Sequence, residues 1–373
     1  MTIRTIGLVT GGGDAPGLNA VIRAVVKTAV TEYNLRVIGI EDSFEGLLGE
    51  TRARELTPAD VRGLLPRGGT ILGTRNRGNF VERGGPESNS KPEEVYREAT
   101  ENLKRLGIDA LVVLGGEGTL GIAAQFDKLD VPVIGVPKTI DNDLAFTELT
   151  FGFVTALDIA TEALDRLHTT AASHDRVMVL EVMGRHTGWI ALHSGIAGGA
   201  DVILIPEIPF SLKAVAEKVL ERERCDSQFS IIVVAEGARE AGGLEIYQDA
   251  GDREHAPRLG GIGQHVTREL ERLTGKETRC VVLGHLQRGG SPNAFDRMLA
   301  TTYGSCAVRA LMCGERGQMV ALHAADIITV PISKAIANIK IIPLDSQLIR
   351  TARDIGVSFG AIDEAEHHGK DGC

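Results

Sequence analysis

Short apolar runs recur along the chain, and most of them are followed directly by glycine or by a carboxylate. Runs of this kind are typical of buried parallel strands, which are covered on both faces. They lie at 5–10, 36–40, 108–114, 131–136, 176–182, 201–206 and 229–235. Stretches 18–30 and 93–106 have the spacing of apolar positions that predicts amphipathic helices. The pattern therefore predicts strands and helices that alternate, as in an α/β fold.

The size and charge of the chain limit the possibilities further. At 373 residues it exceeds the usual size of one core, so we expect two lobes. The net charge of −10 argues against non-specific binding to nucleic acid or to membranes. We find no apolar signal region and no window of about 18 apolar residues, so we expect a cytoplasmic protein. Five scattered cysteines predict reduced thiols rather than a disulfide framework.

Glycine-rich turns follow two of the predicted strands. The turns at 11–17 and 115–118 each precede a helix, an arrangement that presents backbone N–H groups to an anion. Neither turn is a P-loop or a GxGxxG fingerprint. A third glycine-rich loop, 67–79, contains arginines that suit phosphate contacts. Glu117, beside such a turn, is well placed to hold Mg²⁺. Together these features favour a nucleotide or polyphosphate site.

Two carboxylates follow the apolar run 131–136. Asp141 and Asp143 flank Asn142 after a Pro-Lys-Thr turn. In an extended chain, residues i and i+2 point the same way, so we expect both carboxylates to address one small volume. Two such charges need a nearby cation or a shared hydroxyl, and Lys138 or a metal could supply the positive charge.

Six motifs together resemble the 6-phosphofructokinase family over about residues 4–340. They are GGDAPGLN at 12–19, GGEGT at 115–119, PKTIDND at 137–143, MGR at 183–185, EG at 236–237 and LGHLQRGGSP at 283–292. The resemblance implies transfer of a phosphoryl group to the 1-hydroxyl of fructose 6-phosphate. It also implies an α/β fold of two doubly wound Rossmann-like lobes, with largely parallel sheets and the active site in the cleft between them.

The resemblance implies which segments form each lobe. A phosphoryl-donor lobe for ATP and Mg²⁺ is expected from 1–152 plus 287–337. A fructose 6-phosphate lobe is expected from 153–286 plus 338–373, with a frayed C-terminal tail. The family arrangement further implies a homotetramer, built as a dimer of dimers. In it, Arg176 and Arg279 reach the active site of a neighbouring subunit.

The resemblance also implies which positions of this chain correspond to the site residues of the family. Asp141 corresponds to the general base, and the other catalytic positions are Thr139, Asp143 and Arg185. The donor-binding positions are Gly12, Arg75, Asn76, Arg77, Gly116, Glu117, Gly118, Thr119 and Lys138. Of these, Glu117 corresponds to the Mg²⁺-linked acid, and the choice between Arg75 and Arg77 as the cation on the moving phosphoryl group stays open. The substrate-binding positions are Thr139, Asp141, Asp143, Arg176, Met183, Gly184, Arg185, Glu236, Arg279, His285 and Arg288.

The phosphoryl donor is ATP or inorganic pyrophosphate, because the family divides between them. Pyrophosphate users typically have an acid where this chain has Gly118, and a lysine where it has Lys138. An acid at the first position would repel the α-phosphate of a nucleotide, so its absence favours ATP. The combination resembles the bacterial ATP-using branch. Pyrophosphate stays open as the alternative, and a lipid or NAD kinase-like enzyme or a non-catalytic regulatory subunit is more remote.

Overall fold

The computed structural model describes residues 3–75, 80, 92–243, 247–249 and 258–361. The chain divides into two compact units. The first unit comprises Met1–Thr155 and Arg288–Ile339. The second comprises Ala156–Gln287 and Lys340–Cys373.

Strands and helices alternate along most of the chain. The strands are β1 (Thr5–Thr10), β2 (Arg36–Ile40), β3 (Ala53–Glu55), β4 (Ala110–Gly115), β5 (Val133–Pro137), β6 (Val177–Val182), β7 (Val202–Leu204), β8 (Ser230–Ala235), β9 (Tyr247–Asp249), β10 (Arg258–Leu259), β11 (Thr278–Val282), β12 (Gln318–His323) and β13 (Asp326–Pro331). The α-helices are α1 (Leu18–Tyr33), α2 (Pro92–Arg105), α3 (Glu117–Lys128), α4 (Phe153–His174), α5 (Trp189–Ala197), α6 (Leu212–Arg224), α7 (Ile262–Thr274), α8 (Ala294–Met312), α9 (Ile332–Ala335) and α10 (Gln347–Asp354). The described residues also form 3₁₀-helices at Ser43–Leu47 and Gly284–Arg288.

The first unit is built on a seven-stranded sheet in the order β13-β12-β5-β4-β1-β2-β3. Its five central strands run parallel, whereas β3 and β13 are antiparallel to their neighbours at the two edges. Apolar residues of α1 and α8 pack on one face of this sheet, and those of α2 and α3 pack on the other. Because β1, β4 and β5 are covered on both faces, their sequences are continuous apolar runs.

The second unit contains a four-stranded parallel sheet in the order β11-β6-β8-β7. Apolar residues of α6 and α7 pack against β6, β7 and β8 to form its core. The strand β11 lies at the edge, and its Val281 and Val282 are partly exposed. No described helix has the length and apolarity that a membrane span requires.

The predicted mixed α/β fold with largely parallel sheets is confirmed. The run 108–114 forms β4 two residues later than predicted, and 201–206 contributes only the short β7. The predicted tail, together with the loop residues Asn76 and Arg77, lies outside the described residues. Cys225 is disulfide-bonded, so the prediction of reduced thiols is wrong for that residue. Cys280, Cys306 and Cys313 are free thiols.

A buried carboxylate fastens the start of α4 to the start of α8. Asp296 has no exposed surface and lies in the first turn of α8. Its Oδ1 accepts the Gly152 N–H at 2.9 Å, and its Oδ2 accepts the Thr155 N–H at 2.7 Å and hydroxyl at 2.6 Å. The carboxylate therefore satisfies three donors that the fold would otherwise bury unpaired.

We predict that Asp296→Ala lowers the free energy of unfolding by about 3 kcal/mol or more, because buried donors left unpaired each cost about 1–3 kcal/mol. Urea denaturation measures this difference. The matched control is Asp326→Ala, at an exposed position of β13, for which we expect a change of about 0.5 kcal/mol or less. Equal effects of the two substitutions would contradict this role for Asp296.

Candidate active site

The carboxyl ends of β1, β4 and β5 surround a cavity of about 270 Å³ in the first unit. These strands are neighbours and parallel, so the segments that follow them meet at one edge of the sheet. Several sequence-predicted site residues line the cavity. They are Gly12, Arg75, Gly116, Glu117, Gly118, Thr119, Lys138, Thr139, Asp141 and Arg288.

The turn after β1 brings backbone close to a cation. Gly12 has a φ of 78°, and a Cβ there would lie 3.2 Å from Lys138 Nζ. The Gly12 N–H donates to Arg75 O at 3.0 Å, while the Thr74 hydroxyl donates to Gly12 O at 2.6 Å. Glycine is therefore required here for both its conformation and its lack of a side chain.

The turn after β4 leads directly into α3. Its N-cap is Gly116, which provides no side-chain hydrogen bond, and Glu117 and Gly118 are exposed in the first turn. The first N–H groups of a helix have no partner within the helix and carry partial positive charge. A Cβ at Gly118 would meet no atom within 4 Å. The N-terminus of α3 therefore offers an open site for an anion.

Two cations lie beside these turns. Lys138 follows β5, is only 4% exposed, and donates from Nζ to Gly13 O. Burial and, to a smaller extent, Arg288 lower the pKa of Lys138, whereas Asp14, Asp141 and Asp143 raise it, so that the pKa is about 8. A Cβ at Gly13 would collide with Arg288 Nη1, so this guanidinium lies over the turn. The resemblance assigned Arg288 to the sugar 6-phosphate, and here it lines the cavity at the ends of β1, β4 and β5.

The segment Asp141–Asp143 forms a turn, so the prediction of an extended chain is wrong. Asn142 has a φ of 51° and is buried. Its Oδ1 accepts the Thr150 N–H at 3.1 Å, and its Nδ2 donates to Glu148 O at 3.3 Å. Asparagine tolerates this left-handed backbone, and these side-chain bonds hold it there. Asp141 lines the cavity, whereas Asp143 is not among its described lining residues.

An apolar wall that the sequence analysis missed closes one side of the cavity. It consists of Phe44, Phe80 and Ile122, with the two phenyl ring centroids 5.7 Å apart. The available signal was the position of Phe44 just beyond the end of β2, since residues at the carboxyl end of a parallel strand lie near ligands. An apolar wall beside anion-binding turns suits a ligand with both a ring and phosphates.

In the second unit, three predicted segments follow the carboxyl ends of the parallel strands. Met183, Gly184 and Arg185 follow β6, Glu236 follows β8, and His285 follows β11. The Glu236 N–H donates to Val182 O at 2.9 Å, which fixes it beside the β6 segment. Gly184 has a φ of 142°, a conformation that other residues rarely adopt. The structure therefore brings these residues together.

Arg176 and Arg279 lie at the other end of the sheet, where its parallel strands begin. Arg176 precedes β6, and Arg279 pairs with Met178 near the start of that strand. Both arginines form ion pairs with Glu277, the first at 2.8 Å. The six residues of β6 span roughly 16 Å, so within this unit neither arginine joins Met183 and Glu236. That they reach the active site of a neighbouring subunit stays a prediction.

Comparison with known proteins decides the family. Residues 5–311 match the sequence profile of phosphofructokinase. This chain belongs to the phosphofructokinase family. An ATP-dependent 6-phosphofructokinase from Chloroflexus aurantiacus is 60% identical over 95% of this chain and 97% of the relative. A pyrophosphate–fructose 6-phosphate 1-phosphotransferase from Streptomyces coelicolor is 50% identical over 95% of this chain and 99% of the relative.

A solved phosphofructokinase structure from Pichia pastoris has the same fold. The two align with a TM-score of 0.77 and 33% identity over 98% of this chain. The present chain spans 38% of the length of that larger chain.

We predict that affinity for ATP falls about tenfold between pH 7 and pH 9, because Lys138 loses its proton as the pH rises through its pKa of about 8. Isothermal titration calorimetry measures the affinity. Lys138→Met should bind weakly with little pH dependence over this range, whereas Lys128→Met, at an exposed position of α3, should keep the profile. A flat profile in the unmodified protein would show that this lysine does not bind the ligand.

Proposed function

We propose that this chain is an ATP-dependent 6-phosphofructokinase. It transfers the γ-phosphoryl group of ATP to the 1-hydroxyl of fructose 6-phosphate, giving fructose 1,6-bisphosphate and ADP in glycolysis. The observation that carries the proposal is one cavity that combines glycine turns, Lys138, Asp141 and an apolar wall. The family and the 60% identity to the Chloroflexus enzyme support it.

The first unit binds the donor. Backbone N–H groups at the N-terminus of α3 receive its phosphates, and Lys138 and Arg288 offset their charge. Phe44, Phe80 and Ile122 receive the adenine ring. This wall supports a nucleotide rather than pyrophosphate, which has no ring to contact it. Positioning and charge neutralisation of this kind account for most of the catalysis in phosphoryl transfer.

Mg²⁺ fits the donor site. Glu117 is exposed in the first turn of α3 and lines the cavity, so its carboxylate is accessible beside the phosphate positions. Carboxylate and phosphate oxygens are the ligands that this ion prefers, often with waters. No described group of three His, Cys, Asp or Glu side chains forms a metal cluster. Glu117 would therefore hold the ion together with phosphate oxygens, and the bound ion would neutralise charge on the moving phosphoryl group.

Asp141 acts as the general base. Its backbone N–H donates to Thr139 Oγ1 at 3.1 Å, which stabilises the chain where Asp141 lines the cavity. The proton of the sugar 1-hydroxyl passes to this carboxylate as the oxygen attacks the γ-phosphorus. Thr139 contacts the transferring group, and Asp143 orients the substrate.

The second unit binds the sugar phosphate. Met183, Gly184, Arg185 and Glu236 surround the sugar, with Arg185 near the reacting phosphate, and His285 contacts the 6-phosphate. In a cytoplasmic homotetramer, Arg176 and Arg279 complete the 6-phosphate site of a neighbouring subunit. Their position at the amino ends of the strands, away from Met183 and Glu236, supports this arrangement.

Steady-state kinetics with fructose 6-phosphate, run in parallel with ATP and with pyrophosphate, tests the proposal. We expect kcat/KM for ATP to exceed that for pyrophosphate by about 100-fold or more, a difference of about 2.7 kcal/mol in transition-state binding. Lys138 and the 50% identical Streptomyces relative favour pyrophosphate as the second candidate. A higher kcat/KM for pyrophosphate would establish that candidate instead.

We predict that Asp141→Asn lowers kcat about 10²–10⁴-fold, the usual cost of losing a general base. Binding of fructose 6-phosphate, measured by calorimetry, should change little because the amide keeps the shape of the side chain. Asp130→Asn, at an exposed position of the same unit, is the control and should keep normal turnover. A variant with most of its kcat would remove Asp141 from this role.

We predict that Gly118→Asp impairs use of ATP far more than use of pyrophosphate. The new carboxylate would project into open space at the N-terminus of α3 and repel the α-phosphate of the nucleotide. Gly118→Ala is the matched control and should have a small effect, since a Cβ meets no atom within 4 Å. Comparison of kcat/KM for both donors measures the difference, and equal losses would show that this position does not discriminate.

A further inference from the structure

Gln287 has no role in the mechanism so far, although it lies between two proposed phosphate-binding residues. It belongs to the 3₁₀-helix Gly284–Arg288, which also contains His285. Its side chain has no exposed surface. Its Oε1 accepts the N–H of Met183 at 2.8 Å. A residue distant in sequence therefore contacts the backbone of the proposed sugar-binding loop.

The sheet explains why Met183 needs this acceptor. Successive residues of β6 bond alternately to its two neighbours: Glu181 O accepts from Leu283, and Val182 O accepts from Glu236. The Met183 N–H therefore faces the β11 side, but β11 ends at Val282. The amide of Gln287 supplies the acceptor that the strand no longer provides.

The other end of the same amide has no partner. The Met183 N–H can only donate, so the oxygen of Gln287 must face it and Nε2 must point away. Nε2 is buried and has no hydrogen-bond partner in the part of the chain that the structure describes. An unpaired buried donor reduces stability, so it offsets much of the stability that the bond to Met183 contributes.

We propose that Gln287 is a positioning residue for the sugar-phosphate site, an inference that rests on the proposed function. Its Oε1 holds the Met183 N–H and thereby fixes the loop Met183–Arg185 against the 3₁₀-helix that contains His285. The distance between the residues that surround the sugar and the residue that contacts the 6-phosphate is then already set in the ligand-free protein. Such preorganisation raises affinity by reducing the cost of ordering the site.

Hydrogen exchange in the ligand-free protein tests the contact itself. In Gln287→Met, which keeps the length but removes the acceptor, the Met183 amide should exchange about tenfold faster or more. In Gln287→Glu, which keeps an acceptor at this place, protection should be retained. Ile232→Val, a core substitution in β8, should leave this amide unchanged. Unaltered protection in Gln287→Met would overturn the proposed contact.

Calorimetry with fructose 6-phosphate and no donor tests the consequence. We expect Gln287→Met to bind it about tenfold or more weakly, equivalent to about 1.4 kcal/mol, while the KM for ATP stays unchanged. Its Tm should be close to that of the unmodified protein, since the substitution removes one unpaired donor and creates another. Normal affinity despite rapid exchange at Met183 would overturn the positioning role. Failure of the unmodified protein to bind the sugar phosphate would instead overturn the proposed function, and the exchange result would be independent of it.

Discussion

The register of the parallel strands β1, β4 and β5 determines where the proposed donor site lies. Thr10 pairs with Leu114, and Gly115 pairs with Pro137, so all three strands end at nearly the same level. The glycine turn, the N-terminus of α3 and Lys138 follow those ends directly. A shift of one residue would reverse the side chains of a strand between the two faces, and both faces are packed with helices. Burial of the sheet thus fixes the site.

Charge is the main reason why we propose that phosphates bind at the carboxyl ends of these strands. Lys138 is nearly fully buried beside a second cation, and burial lowers its pKa to about 8. Asp14, Asp141 and Asp143 offset part of this positive charge, and the uncapped N-terminus of α3 adds further positive potential. A bound polyphosphate would satisfy all of these groups at once. These groups are therefore the ones that we propose bind the phosphates of the donor.

The sequence predicted the strands and the glycine turns because both are local properties. The buried runs gave β1 and β2 with their observed bounds. Contacts outside regular secondary structure were harder: the bonds from Asn142 to residues six and eight positions later convert the expected extended segment into a turn. Similarly, the apolar wall joins Phe44 to Phe80, and the Gln287–Met183 bond spans 104 positions. No local pattern indicates such pairings, because they depend on how the sheets are assembled.

Phosphorus-31 NMR of the protein with ATP and fructose 6-phosphate tests the central claim most directly. The account predicts that the γ-phosphorus signal of ATP is lost as the 1-phosphate signal of fructose 1,6-bisphosphate grows, in equal amounts and together with ADP. Release of the γ-phosphoryl group as inorganic phosphate, with no second phosphate on the sugar, would contradict it.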